Sequence, residues 1–180
     1  MRAESRRVRV TVVAVCHSDR MAIEGALRFV AGDATAPVGA GEKIIVHVCN
    51  DIGGWGAGFV LALSARWPEP ESAYRQWHSN GDGFQLGAIR LVPVEDDLWV
   101  ANLIGQRDVV PVEGEPPIRY EAVEAGLDQL ADEAYAMDAS VHMPRMGCGL
   151  AGGEWAAMER IVQRALCGRG IDVVVYDPAP

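Results

Sequence analysis

Two stretches of this chain have the residue types to hold an anion without a charged side chain. Residues 48–59 read VCNDIGGWGAGF and residues 143–155 read MPRMGCGLAGGEW. Each runs from the end of an apolar, strand-like segment towards a helical one. A helix N-terminus exposes unpaired amides and about half a positive charge. Glycine lets that backbone come close to a ligand and adopt positive φ. Two such turns on neighbouring strands form a two-sided cradle, and a pyrophosphate is its natural guest. Neither turn is a P-loop, because no GKS or GKT follows, and neither is a GxGxxG within a Rossmann unit. Taken singly, either turn could also be a tight connection and nothing more.

Gly32-Asp33-Ala34-Thr35 adds a third element. A carboxylate just after a short strand can accept from an exocyclic amine such as adenine N6, while the next amide donates to a ring nitrogen. The same Asp33 could instead cap its own turn. Cys148 opens a nucleophile reading, since a thiol at a helix N-terminus has a lowered pKa, but no histidine is tied to it by spacing. His47 and His142 lie inside apolar runs and read as satisfied core histidines. His78 reads as loop surface, and Trp67, Trp77, Trp99 and Trp155 as packing anchors. The four cysteines show no CxxC spacing, so no metal site is expected.

The elements that must position these residues alternate. Leu27–Ala31 reads as a short strand, and Lys43–Cys49 as a strand buried on both faces, because it is almost continuously apolar and β-branched. Phe59–Trp67 reads as a helix that stops before Pro68, and Glu71–Trp77 as a second, with 79–83 a polar loop. Gly87–Val94 and Leu98–Ile104 read as a hairpin around Glu95-Asp96-Asp97. Val123, Leu127, Leu130, Ala134 and Met137 give Ile118–Met137 one apolar helix face. Ala139–Met143, Glu154–Leu166 and Ile171–Tyr176 read as strand, helix and strand. Parallel crossovers and one antiparallel pair imply an α/β fold, a mixed sheet between two helical layers. In such sheets ligands bind at the carboxyl ends of the strands.

At 180 residues, 49% hydrophobic and 23% charged, the chain is expected to be one globular domain rather than a disordered segment. A net charge of −9 argues against broad duplex nucleic-acid binding and against a membrane surface. The first ten residues differ, with four arginines against one glutamate. Either residues 1–20 are an extension before a natural start at Met21, or Arg7–Val15 forms an extra edge strand; residues 21–180 would make the domain. Val8–Cys16 is too short and too β-branched for a signal peptide, and no run is long enough to span a bilayer, so a cytoplasmic monomer is expected. Lys43 is the only lysine.

The GDxT segment, the N-x-x-GG-x-G-x-G loop and the P-R-x-G-C-G-L loop together resemble the macrodomain, the ADP-ribose-binding fold, over about residues 27–176. The wording HVCNDIGGWGAGF, VANLIGQRDV and HMPRMGCGLAGGEW is most similar to the branch of terminal-ADP-ribose glycohydrolases, DNA-thymidine ADP-ribose hydrolases and ADP-ribose-1″-phosphate phosphatases. The resemblance implies a three-layer α/β/α architecture. It implies that Asp33 and Ala34 hold the adenine and that Asn50 faces the distal ribose. Gly53, Gly54, Gly56 and Gly58 would wrap that ribose and the diphosphate. Trp55 would pack on the ribose or anchor its loop to the core. Gly147, Cys148, Gly149 and Leu150 would supply amides to the phosphates. Asn50 could also stabilise its own turn.

The branch's glycohydrolases attack the anomeric carbon with a lysine, assisted by an aspartate. Here Gln106 and Ala151 stand at the matching positions. Lys43 begins its strand, about 20 Å from the strand's far end. The resemblance therefore implies an ADP-ribosyl hydrolase without that pair. Asn50 and Gln106 would orient a water and Asp51 would act as base, with no metal or cofactor. Arg107, Asp108 and Arg145 are rim candidates or surface ion pairs. The expected partners are ADP-ribose and an ADP-ribosylated protein or DNA nucleotide. The alternatives are a reader without turnover, an O-acetyl-ADP-ribose deacetylase, or an ADP-ribose-1″-phosphate phosphatase.

Overall fold

In the computed structural model, which describes residues 24–178, the strands are β1 (Leu27–Ala31), β2 (Lys43–Asn50), β3 (Ile89–Glu95), β4 (Leu98–Gln106), β5 (Ser140–Pro144) and β6 (Val173–Asp177). The helices are α1 (Phe59–Ser64), α2 (Glu69–Asn80), α3 (Tyr120–Met137) and α4 (Trp155–Ala165). The two readings of residues 1–20 lie outside the described residues.

The apolar run of β2 is explained by its place in the sheet. The order is β1-β6-β5-β2-β4-β3, which puts β2 between β5 and β4, both parallel to it. Its side chains alternate between two cores. Ile44 and Val46 pack with Val123 and Leu127 of α3 and Met158 and Val162 of α4. Ile45 packs on the other face with Leu63 of α1 and Tyr74 and Trp77 of α2. A strand covered by helices on both sides has no solvent face to mark with polar residues. The sheet is mixed because β3 alone runs antiparallel, paired to β4 as the expected hairpin.

Some boundaries differ from expectation. α2 is longer at both ends than Glu71–Trp77. Pro68 and Pro70 sit where a helix start lacks amide acceptors anyway. The helix runs on to Gly81, whose left-handed φ of 76° returns its N–H to Trp77 O at 3.0 Å. Ser79 and Asn80 are therefore helical, and His78 is on a helix. α1 closes at Ser64, before the expected Trp67.

His47 points into the α1–α2 core, where its Nε2 lies 2.6 Å from Asn102 Oδ1, and Asn102 Nδ2 donates to Pro70 O at 2.9 Å. Burial lowers the His47 pKa to about 4, so the ring is neutral. His142 is held similarly, by Ser140 Oγ and the Tyr176 hydroxyl, each at 2.9 Å. Both are core histidines, as expected.

Candidate functional site

Five parallel strands aim their carboxyl ends at one edge of the sheet, and the two glycine loops leave from neighbours there, β2 and β5. That edge is where open α/β sheets bind ligands.

Asn50 shapes the first loop. Its Oδ1 accepts from the amides of Ile52 (3.2 Å) and Gly54 (2.8 Å), and its Nδ2 donates to Gly54 O at 2.7 Å. The hydroxyl of Tyr74, from α2, donates into the same residue, 2.7 Å from the carbonyl oxygen and 3.0 Å from Oδ1. Burial pushes the Tyr74 phenol up, so it stays a donor. Asn50 is thus engaged with its own turn, with one Nδ2 proton to spare. Gly53 has φ 76°, and a Cβ there would sit 2.5 Å from His78 Nδ1. Trp55 anchors the loop: its indole is 7% exposed, meets His47 edge-on at 5.4 Å and donates to Ser64 Oγ at 2.8 Å.

The second loop closes on itself. Gly153 N–H donates to Gly147 O (2.8 Å), Gly152 N–H to Gly149 O (3.0 Å) and Cys148 N–H to Arg145 O (3.3 Å). The amide expected from Cys148 is therefore used internally. The thiol does not cap a helix either, since α4 starts seven residues later, and burial raises its pKa against the opposing pull of Arg145. Among the described residues, the N–H groups of Gly149, Leu150 and Ala151 have no acceptor, nor do those of Gly56, Ala57 and Gly58. The two segments lie side by side: a Cβ on Gly58 would touch Leu150 Cδ1 at 3.7 Å, and Ala57, Gly58, Gly149, Leu150 and Ala151 line one cavity.

These loops bound a trough of three connected compartments. A narrow middle one, about 250 Å³, lies between the amide rows. It opens past Phe59, Arg145 and Gly149 into a compartment of about 720 Å³ that holds Asp33, Ala34 and Tyr176. It opens past Val48, Ala57, Gln106 and Leu150 into one of about 540 Å³ that holds Asn50, Trp55 and Val109. Among the described residues, Arg145 is the only lysine or arginine lining the three. Its guanidinium pairs with Asp177 (2.9 Å) and lies 4.9 Å over the Trp155 ring.

Asp33 shows the turn-capping geometry, one of the two expected. Its Oδ1 accepts from Thr35 N and Oγ1, each at 2.8 Å, and so caps the turn, while Oδ2 lies 3.3 Å from Arg66 Nη2. The Thr35 amide, more than Arg66, holds the carboxyl below its ordinary pKa. Ala34 N–H makes no hydrogen bond among the described residues.

A solved macrodomain protein from Streptomyces coelicolor is 51% identical to the chain, covers 84% of this chain and 99% of that one, and superposes with a TM-score of 0.75. The chain belongs to the macrodomain family. A Bacteroides thetaiotaomicron structure is 54% identical over 85% of this chain and 98% of that one, TM-score 0.84. The mouse chromodomain-helicase-DNA-binding protein 1-like is 32% identical over 160 residues, 83% of this chain but 17% of that protein. The chain thus spans about a sixth of that relative's length. Thermosipho africanus DarTG in complex with ADP-ribose is 19% identical, TM-score 0.61, over 74% of this chain and 37% of that one, and shows a shared fold alone. No protein-family model matches.

In this macrodomain the trough end beyond Gln106 has no lysine or carboxylate among the described residues that line it. Gln106 lies opposite Asn50 in the sheet register and donates Nε2 to Asp108 O at 3.2 Å. Asp51 does not line the compartment; its Oδ1 accepts from Asp108 N at 2.7 Å and ties the β4 exit loop to the β2 loop. Ala151 is buried, and its carbonyl accepts from Ile118 N at 3.1 Å. Lys43 is fixed at the opposite end of β2 by Gly41 O (2.6 Å) and Asp97 Oδ2 (2.7 Å). Sequence reasoning missed Tyr74, Phe59 and Tyr176. Phe59 alone carried a signal, as the first residue after the glycine turn.

Proposed function

We propose that this macrodomain binds ADP-ribose along the trough and hydrolyses the bond that joins its distal ribose to a macromolecule. The observation that carries the reading is the pair of unbonded amide rows, Gly56–Gly58 and Gly149–Ala151, on the two loops that line a small compartment with a larger one at each end. A diphosphate with a nucleoside at one end and a ribose carrying its acceptor at the other has that form. Backbone donors also account for an acidic chain taking an anion. The adenine goes beside Asp33 and Ala34, against Phe59 and Tyr176, and the distal ribose goes between Asn50 and Gln106. The ADP-ribose held by Thermosipho africanus DarTG supports the same ligand on this fold.

For hydrolysis, a water adds at the anomeric carbon while the bond from that carbon to the acceptor breaks. The acceptor leaves with the bonding pair, and the water's proton passes to solvent, since Asp51 stands outside the compartment. The bound diphosphate and Gln106 hold the water in line. No covalent enzyme intermediate forms, because neither Gln106 nor buried Ala151 can attack. The acceptor is a side-chain carboxyl ester or a thymine base in DNA, which aligns the protein with the glycohydrolase and DNA-thymidine hydrolase branch.

That no described residue of the distal lining is a lysine or carboxylate favours a second reading, a module that binds ADP-ribose without turnover. One panel decides between them. Purified protein is offered ADP-ribosylated glutamate protein, ADP-ribosyl-thymidine DNA, O-acetyl-ADP-ribose and ADP-ribose-1″-phosphate, with ADP-ribose binding measured in parallel. Release from either macromolecule supports the hydrolase. Release from none, with tight binding, establishes the reader. No ADP-ribose binding overturns both.

A further inference from the structure

Half of the eight large apolar side chains exposed among the described residues gather at one place. Ile52 (47% exposed), Val109 (49%), Val110 (56%) and Leu150 (73%) stand on the three loops that leave β2, β4 and β5. Val109 and Leu150 line the distal compartment. The Asp51–Asp108 hydrogen bond, at 2.7 Å, ties the loop that carries Ile52 to the loop that carries Val109 and Val110. Together they form an apolar collar around the outer end of the trough. An exposed apolar cluster of this kind marks a binding surface.

We propose that this collar receives apolar side chains flanking the modified residue of a polypeptide acceptor. The proposal rests on the ADP-ribose reading of the trough. Whatever carries the ADP-ribose emerges beside the distal ribose, so the residues on either side of the linkage cross these four side chains. A nucleic-acid acceptor would need cations for its phosphates. The three loops offer few: residues 51–58, 107–119 and 145–154 hold three arginines against five acids, Arg119 is tied to the carbonyls of Pro117 and Ile118, and Arg145 is paired with Asp177. A second copy of the chain is also a poor fit, since four side chains fall well short of the roughly 800 Å² per partner of a stable interface.

The test uses Ile52→Ser/Val110→Ser, neither of which lines the trough, and four probes. These are free ADP-ribose, a hydrolysis-resistant ADP-ribosylated peptide with leucine and phenylalanine beside the modified position, the same peptide with serines there, and an ADP-ribosylated single-stranded oligonucleotide. The wild-type protein should bind the apolar-flanked peptide about tenfold more tightly than the serine version. The double variant should lose that preference and keep its affinity for free ADP-ribose within twofold. Equal affinity of the wild type for the two peptides overturns the proposal. So does a preference for the oligonucleotide that the double variant loses, or a concentration-dependent dimer that it abolishes. If the wild type binds no ADP-ribose, the reading of the trough itself fails, which the first probe reports separately.

Discussion

The side chain of Asn50 and the backbone of Gly54 bond to each other twice, the Gly54 amide giving to Oδ1 at 2.8 Å and the Gly54 carbonyl taking from Nδ2 at 2.7 Å. With the Tyr74 hydroxyl on the same residue, this clamp sets the curve of the first glycine loop, and so the direction in which Gly56, Ala57 and Gly58 aim their amides.

Removing the clamp should disorganise the cradle. Asn50→Ala leaves the amides of Ile52 and Gly54 and the Gly54 carbonyl without their side-chain partner, while Tyr74 keeps the backbone carbonyl of residue 50, a loss of about 2–3 kcal/mol. Tyr74→Phe removes a single donor and should cost about 1 kcal/mol. Urea unfolding and calorimetric titration with ADP-ribose should show both orders, with affinity falling at least tenfold for Asn50→Ala. An affinity for that variant within twofold of wild type contradicts the role.

Gly53→Ala meets two obstacles, a left-handed φ and the His78 ring 2.5 Å from the new Cβ. It should lose about 2 kcal/mol. Adding His78→Ala should recover part of the loss, because it clears the space but leaves the backbone strain. If the double variant is no more stable than Gly53→Ala, the steric account is wrong.

Stability should fall with acid before the carboxylates titrate. Desolvation holds the folded pKa of both His47 and His142 down to about 4, below the ordinary 6.5. Between those values the unfolded chain binds protons that the folded one refuses, so unfolding becomes easier as pH drops from about 6.5 towards 4, and the full stability is present above that window. The total for His47 is on the order of 3 kcal/mol. Denaturant midpoints at pH 7.5 and pH 5 measure it, and His47→Gln should flatten the dependence. Equal midpoints at the two pH values would rule this out.

Arg145→Ala should weaken ADP-ribose binding about tenfold and reduce the salt dependence of binding. The change should affect stability little, because the Asp177 pair is partly exposed. Titrations at low and high salt check the first point and a melting curve the second. Unchanged affinity would leave the amide rows as the whole of the diphosphate site.

Gln106→Ala should lower turnover about tenfold or more while changing ADP-ribose affinity less than threefold. A chelator should leave turnover unaltered. A variant with full turnover removes Gln106 from the water-positioning role.

What the sequence makes legible follows from how local the cause is. The Ile44–Val48 run announces a strand between two helical layers because burial on both faces leaves its mark on consecutive residues. The glycine loops announce an anion cradle because glycine is demanded where backbone bends or approaches closely. Tyr74 is invisible in the same way that the clamp is. It reaches Asn50 across 24 residues, and a tyrosine on an amphipathic helix looks like any other core aromatic. The Gly53–His78 contact and the Asp51–Asp108 bond are likewise products of packing, with no shared motif. For Asn50 and Trp55 the residue types were informative and the roles were not, since an amide that could face a ligand and one that closes its own turn are the same letter.

The donors proposed for the diphosphate belong to the main chain, and every non-proline residue supplies the same N–H. Substitution at Ala57 or Leu150 can therefore alter the surface without altering the donors, provided the turns keep their shape. The grip on the common part of the ligand and the choice of what is attached to it are separable properties here. A protein built this way can change its clientele by drift at a few exposed aliphatic positions while the machinery beneath stays intact.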